Sequence, residues 1–219
     1  MMAVPFADAH SDPHAAQEVL AAGPPPPDAR LTVVLVHGRG ASAEDILGLA
    51  REFKTADVAY LAPQAAGSTW YPYSFLTPTE RNEPYLSSAL RRLASLVEQL
   101  SSQGVSQERI ALAGFSQGAC LVLEFAARHP RRYAALIGLS GGLIGPPGTP
   151  REYSGTFTGT PVFLGCSDVD PHIPLERVHE TAEVFRRMEA QVDERIYPRM
   201  EHTVNLDEIE AVRRLLSTA

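Results

Sequence analysis

Arg109-Ile110-Ala111-Leu112-Ala113-Gly114-Phe115-Ser116-Gln117-Gly118-Ala119-Cys120 is the stretch that decides the fold. A short apolar run (residues 109–114) meets the pattern G-x-S-x-G and passes straight into a mostly apolar segment, Gln117 to His129, that stops at Pro130. The spacing has a steric reason. A sharp strand-to-helix turn lifts the serine hydroxyl above a sheet, and side chains two residues to either side would strike the neighbouring strand and helix, so glycine is required at both places. The helix that follows points its positive dipole end at the serine, where an anion would develop.

Outward from this turn, the chain alternates between two kinds of segment. Short apolar runs recur at 31–36 (LTVVLV), 58–62, 109–114, 133–140, 161–165 and 192–198. Most are apolar on both faces, as in parallel strands covered on both sides. Amphipathic stretches fall between them: Ser42 to Lys54, Leu86 to Gln103, Gln117 to His129, Leu175 to Ala190 and Leu206 to Leu216. Alternation of this kind predicts βαβ units and a mostly parallel sheet with helices on both faces. With a G-x-S-x-G elbow, that is the α/β-hydrolase fold. Residues 1–28 read as an N-terminal extension, loose through residue 14. Ala15 to Ala22 is either an edge strand or a helical turn, and the connector Gly23-Pro24-Pro25-Pro26-Pro27-Asp28 is stiff. Residues 29–219 form one domain without a large cap.

Composition narrows the partners. The net charge of −7 speaks against a nucleic-acid partner, which would need a basic field. No run of apolar residues is long enough for a membrane span. Residues 1–10 lack a basic segment followed by an apolar one, so no secretory signal is expected and a cytoplasmic location follows. Cys120 and Cys166 have no metal-ligand spacing and read as small buried hydrophobes. A homodimer is compatible with the sequence.

Ligands of parallel sheets bind beyond the carboxyl ends of the strands, so the chemistry is sought there. An oxyanion hole needs two N–H donors aimed at one point. Gln117, next to the serine, offers one, and Arg39, in the glycine-bearing loop His37-Gly38-Arg39-Gly40, offers the other. A serine hydroxyl also needs an imidazole held in one tautomer by a carboxylate, and in this fold the order is Ser, Asp, His. Asp168 and Asp170 both follow the run 161–165. Asp170, deeper in the loop, is the expected acid, and Asp168 the residue that ties the turn. His202 follows the last run and is the expected base. His10 and His14 lie in the loose N-terminus, His37 is expected to hydrogen-bond within its own loop, His129 and His179 belong to helices, and His172 sits too close to Asp170 to be its partner.

The segments LVHGRG, AGFSQGA, G-C-S-D-V-D-P-H-I-P and M-E-H-T, in that order between residues 31 and 216, resemble the phospholipase/carboxylesterase family of small bacterial serine esterases, related to acyl-protein thioesterases. The resemblance implies a Ser116–His202–Asp170 triad, oxyanion amides from Arg39 and Gln117, and neither metal nor cofactor. The thioesterase branch usually has leucine where this chain has Arg39. A charge at the pocket mouth favours short, soluble acyl esters as the small-molecule substrate. The expected pocket comprises Trp70, Tyr71, Phe75, Leu76, Leu143 and His172, although the aromatic residues equally suit packing of their loop onto the domain. The alternatives are an acyl thioesterase or lysophospholipase with the same triad, or a binding protein on a hydrolase scaffold.

Overall fold

The computed structural model describes residues 12–53 and 55–219. Seven strands form one sheet: β1 (Val19–Ala22), β2 (Leu31–Val36), β3 (Val58–Pro63), β4 (Ile110–Phe115), β5 (Ala135–Leu139), β6 (Pro161–Ser167) and β7 (Gln191–Tyr197). Their spatial order is β1-β3-β2-β4-β5-β6-β7. Strands β2 to β7 run parallel, and β1 lies antiparallel to β3, pairing Val19 with Pro63. The central strands β2 and β5 are buried along their whole length, which explains their nearly unbroken apolar composition. Alternate residues serve opposite faces. Val34 and Val36 pack toward α2 (Tyr85–Ser102), α3 (Gln117–Arg128) and α4 (Leu175–Arg187). Val33 and Leu35 pack toward α1 (Ala43–Phe53) and α5 (Leu206–Thr218).

Local chemistry sets the helix ends. At α1, Ser42 Oγ accepts the Asp45 N–H at 3.1 Å while Asp45 Oδ2 accepts the Ser42 N–H at 2.9 Å. The end expected at Lys54 lies outside the described residues. Helix α4 stops at Arg187, short of the expected Ala190, because Glu189 turns left-handed (φ 64°) and the Ala190 N–H closes back on the Phe185 carbonyl at 3.0 Å. Glycine usually marks such a turn, and none is present here.

Of the two alternatives for residues 15–22, the structure takes the edge strand, and it departs from the expected looseness at His14. Residues 1–11 lie outside the described residues, and Val19–Ala22 is the edge strand of the main sheet, antiparallel to β3. His14 is fully buried. Its ring nitrogens meet the Trp70 carbonyl at 3.0 Å and the Ala66 N–H at 3.1 Å, and its backbone N–H donates to Ser88 Oγ. Among the described residues no helix is long and apolar enough to cross a membrane.

Candidate active site

Ser116 sits between β4 and α3 at φ 55°, ψ −120°, a left-handed conformation that L-residues rarely adopt. The turn is held by the Ser116 N–H donating to Leu139 O at 2.9 Å and by the Cys120 N–H donating to Ser116 O at 3.0 Å. The steric reading of the glycines agrees with the coordinates. A Cβ on Gly114 would come within 2.5 Å of the Gly118 backbone, and one on Gly118 would strike the carbonyls of Val36 and His37.

The loops after β6 and β7 bring Asp170 and His202 to this serine. His202 Nε2 lies 2.8 Å from Ser116 Oγ, and Nδ1 lies 2.6 Å from Asp170 Oδ2. The side chain of Asp170 is fully buried and that of His202 is 17% exposed. Burial alone would push the Asp170 carboxyl up. Hydrogen bonds from His202 and from the His172 and Ile173 N–H groups, at 2.8 and 3.0 Å, outweigh it and hold the carboxyl below the usual range. An ionised Asp170 only accepts, so the His202 proton sits on Nδ1 and the Nε2 lone pair faces the serine hydroxyl. His202 is flanked by Phe115 and His172, with ring centroids 5.0 and 4.8 Å away.

Asp168 is exposed and turned away from the imidazole. Its Oδ1 accepts the Arg199 N–H at 2.7 Å, and its own N–H donates to Tyr197 O at 3.2 Å, so it ties the loop after β6 to the loop that carries His202. His37 is buried with Nδ1 at 2.7 Å from Gly38 O and Nε2 accepting the Ala65 N–H at 3.1 Å. His129 caps the end of α3, and His179 pairs with Glu194 at 2.6 Å.

The loop after β2 runs beside the serine, since a Cβ on Gly38 would come 3.5 Å from the Ser116 Cβ. Gln117 begins α3, where first-turn N–H groups have no partner inside the helix. The side chains of Arg39 and Gln117 both turn to one segment, residues 69–73. The Arg39 guanidinium donates to Thr69 Oγ1 (3.1 Å) and to the carbonyls of Tyr71 (2.9 Å), Pro72 (2.8 Å) and Tyr73 (2.8 Å). Gln117 accepts the Trp70 N–H at 2.9 Å and donates to Tyr71 O at 2.9 Å.

A cleft of about 560 Å³ opens above the serine. Ser116, Gln117 and His202 share its lining with Arg39, Tyr71, Phe75 and His172, all anticipated from the sequence. Trp70, Leu76 and Leu143 are not part of it. Trp70 is fully buried, with its indole N–H donating to His37 O at 2.9 Å and its ring against His14 and His37. Leu143 is fully buried in the core beside α3 and α4, and Leu76 packs against the same core. Phe115, Cys120 and Ile173 line the cleft and were not anticipated. Spacing offered a signal for two of them: Cys120 is one helical turn after Ser116, and Ile173 follows Asp170 by three. Both cysteines are buried, as expected of small hydrophobes. Among the described residues no group of three or more His, Cys, Asp or Glu side chains is arranged to hold a metal ion.

A phospholipase/carboxylesterase from Dyadobacter fermentans DSM 18053 has a crystal structure with 40% identity and a TM-score of 0.89, covering 92% of this chain and 97% of that one. The Bacillus cereus carboxylesterase, at 16% identity and a TM-score of 0.74, shares the fold. Acyl-protein thioesterase 1 of Kluyveromyces lactis is 29% identical over 137 residues, 61% of this chain, and the match spans only 60% of that relative. The phospholipase/carboxylesterase family model matches residues 18–219, so the chain belongs to that family of α/β-hydrolases.

Proposed function

We propose that the protein hydrolyses short-chain carboxylic esters through an acyl-enzyme intermediate, with Ser116 as nucleophile, His202 as base and Asp170 as the orienting acid. The observation that carries this reading is the continuous chain Ser116 Oγ–His202 Nε2, 2.8 Å, and His202 Nδ1–Asp170 Oδ2, 2.6 Å. Both distances lie within proton-transfer reach. His202 takes the hydroxyl proton as Ser116 Oγ forms a bond to the ester carbonyl carbon. The backbone N–H groups of Arg39 and Gln117 hold the oxyanion. The C–O bond to the alcohol then breaks, and His202 returns its proton to that oxygen. Water, deprotonated by the same imidazole, attacks the acyl-serine, and Ser116 is released with its proton as the acid leaves.

The preference for short chains rests on the cleft floor. The Arg39 guanidinium is engaged with four acceptors of residues 69–73, so its charge is not the main barrier. Tyr71, Phe75, Cys120 and Ile173 are all buried residues of the lining, so this wall of the cleft is backed by the packed core and limits the room for a long chain. Likeness to acyl-protein thioesterase 1 supports a second reading, thioester hydrolysis by the same three residues.

Ser116→Ala removes the nucleophile and leaves the fold. Turnover of p-nitrophenyl butyrate by the purified variant falls by several orders of magnitude, on the order of 10³ or more. Unchanged turnover rejects the scheme. Matched series of esters and thioesters of rising chain length separate the two readings, and fluorophosphonate labelling of Ser116 separates either from a binding protein.

A further inference from the structure

The cleft floor holds a polar atom that this reaction does not use. Tyr71 is 1% exposed, and its buried hydroxyl has no oxygen or nitrogen partner among the described residues, only the thiol of Cys120. Buried hydroxyls are nearly always well partnered, and a donor left with only a weak sulfur partner calls for an explanation. The Tyr71 carbonyl is fixed from two sides by Arg39 Nη2 and Gln117 Nε2, each at 2.9 Å. The ring passes beneath the Arg39 guanidinium, whose Cζ is 6.0 Å from the ring centroid. The phenol ends beside the thiol of Cys120, a weak hydrogen-bonding group. Burial pushes this phenol well above its ordinary range, so it keeps its proton and is a donor.

Cys120 gives the scale. Its N–H binds the Ser116 carbonyl, so it lies one turn of α3 beyond the nucleophile, and both residues line the cleft. One turn is about 5.4 Å, a distance spanned by roughly four bonds of about 1.5 Å. Tyr71 lines the same cleft, so an acyl group of that length seated between Ser116, Phe75 and Cys120 lies against this residue.

We propose that Tyr71 is a specificity-determining residue whose hydroxyl donates a hydrogen bond to an oxygen near the far end of the acyl group, making short keto- or hydroxy-acyl esters the preferred substrates. This rests on the esterase reading, and it adds the class of acid. A site built to hydrogen-bond an oxygen discriminates against the analogue that lacks it, because the buried donor is then left unpaired.

The test uses the p-nitrophenyl esters of levulinic and isocaproic acids, which share a branched shape and differ in a ketone oxygen against a methyl group. The wild-type enzyme favours the levulinyl ester in kcat/KM, and Tyr71→Phe lowers the levulinyl-to-isocaproyl ratio roughly five- to tenfold. The ratio cancels any general loss of activity. A ratio that Tyr71→Phe leaves unchanged overturns the proposal, as does a wild-type preference for the isocaproyl ester. A second arm needs no variant: free levulinate inhibits hydrolysis of p-nitrophenyl acetate more strongly than isocaproate does, and equal inhibition overturns the proposal. If p-nitrophenyl acetate itself is not hydrolysed, the esterase reading fails and the inference with it. Hydrolysis of the acetate without acyl discrimination sinks the inference alone.

Discussion

Arg39 donates from Nη2 to the carbonyl of Tyr71 at 2.9 Å, joining the loop beside the serine to the floor of the cleft. Three further bonds from the same guanidinium hold Thr69, Pro72 and Tyr73. Arg39→Leu keeps the peptide N–H proposed for the oxyanion but frees the wall. The expected outcome in steady-state kinetics on p-nitrophenyl butyrate is a rise in KM on the order of tenfold with a smaller fall in kcat. Arg39→Lys does not restore it, because an ammonium lacks the planar fork that reaches several acceptors at once. Full rescue by lysine would mean that charge alone is needed.

The two aspartates of the loop after β6 separate cleanly by mutation. Asp170→Asn removes the carboxylate that fixes the His202 tautomer and lowers kcat on the order of 10⁴-fold. Asp168→Asn weakens the tie to the Arg199 N–H, 2.7 Å away, and acts only through the position of the His202 loop. A loss of tenfold or less is expected for it. Asparagine at 168 costing more than asparagine at 170 would reverse the assignment of the acid.

The parallel sheet and the three loop residues are legible because each depends on local pattern: apolar runs, a G-x-S-x-G turn, and polar residues just beyond strand ends. The pocket wall is less legible. Trp70 and Tyr71 are adjacent aromatics, yet one faces the core and the other the cleft. Their fates depend on partners 33 and 46 residues away, His37 for the indole N–H and Gln117 for the Tyr71 carbonyl. His14 shows the same limit. Its segment has no periodicity, and its order comes from bonds to Trp70, Ala66 and Ser88, more than fifty residues along the chain.

His14 and His37 make the site acid-sensitive. Each accepts a backbone N–H through one ring nitrogen, from Ala66 and Ala65, at 3.1 Å, which requires the neutral ring. Burial is the main cause that lowers both below the ordinary value of 6.5, only partly offset by their carbonyl partners. The unfolded chain therefore binds more protons than the folded one below about pH 6.5. The stability these rings contribute is present in full above that pH and is lost as the pH falls through it. Urea unfolding across this range is expected to give a falling midpoint, and His14→Gln, which cannot take up the proton, flattens the fall. An equally steep slope in the variant would exclude His14 from the effect.

Glu208 works in the opposite direction. It is fully buried at the start of α5, where Oε2 accepts the Asn205 N–H at 2.9 Å and Oε1 has no partner. A Cβ on Gly165 would collide with Oε1, so the carboxyl lies directly over the β6 backbone. Burial pushes it up to about 7, aided by the nearby Asp207 charge and only partly opposed by the Asn205 N–H. For an acid raised in the folded state, the protonated form is favoured by folding. Its contribution is therefore full below the ordinary value of 4.5 and is lost as pH rises through about 7. Glu208→Gln keeps a neutral oxygen for Asn205 and removes the charge. The variant should exceed the wild type by about 1–3 kcal/mol in denaturant unfolding at about pH 8, with the gap closing toward about pH 5. A gap that does not change with pH would mean that the carboxyl stays ionised in the fold, stabilised by a partner other than Asn205.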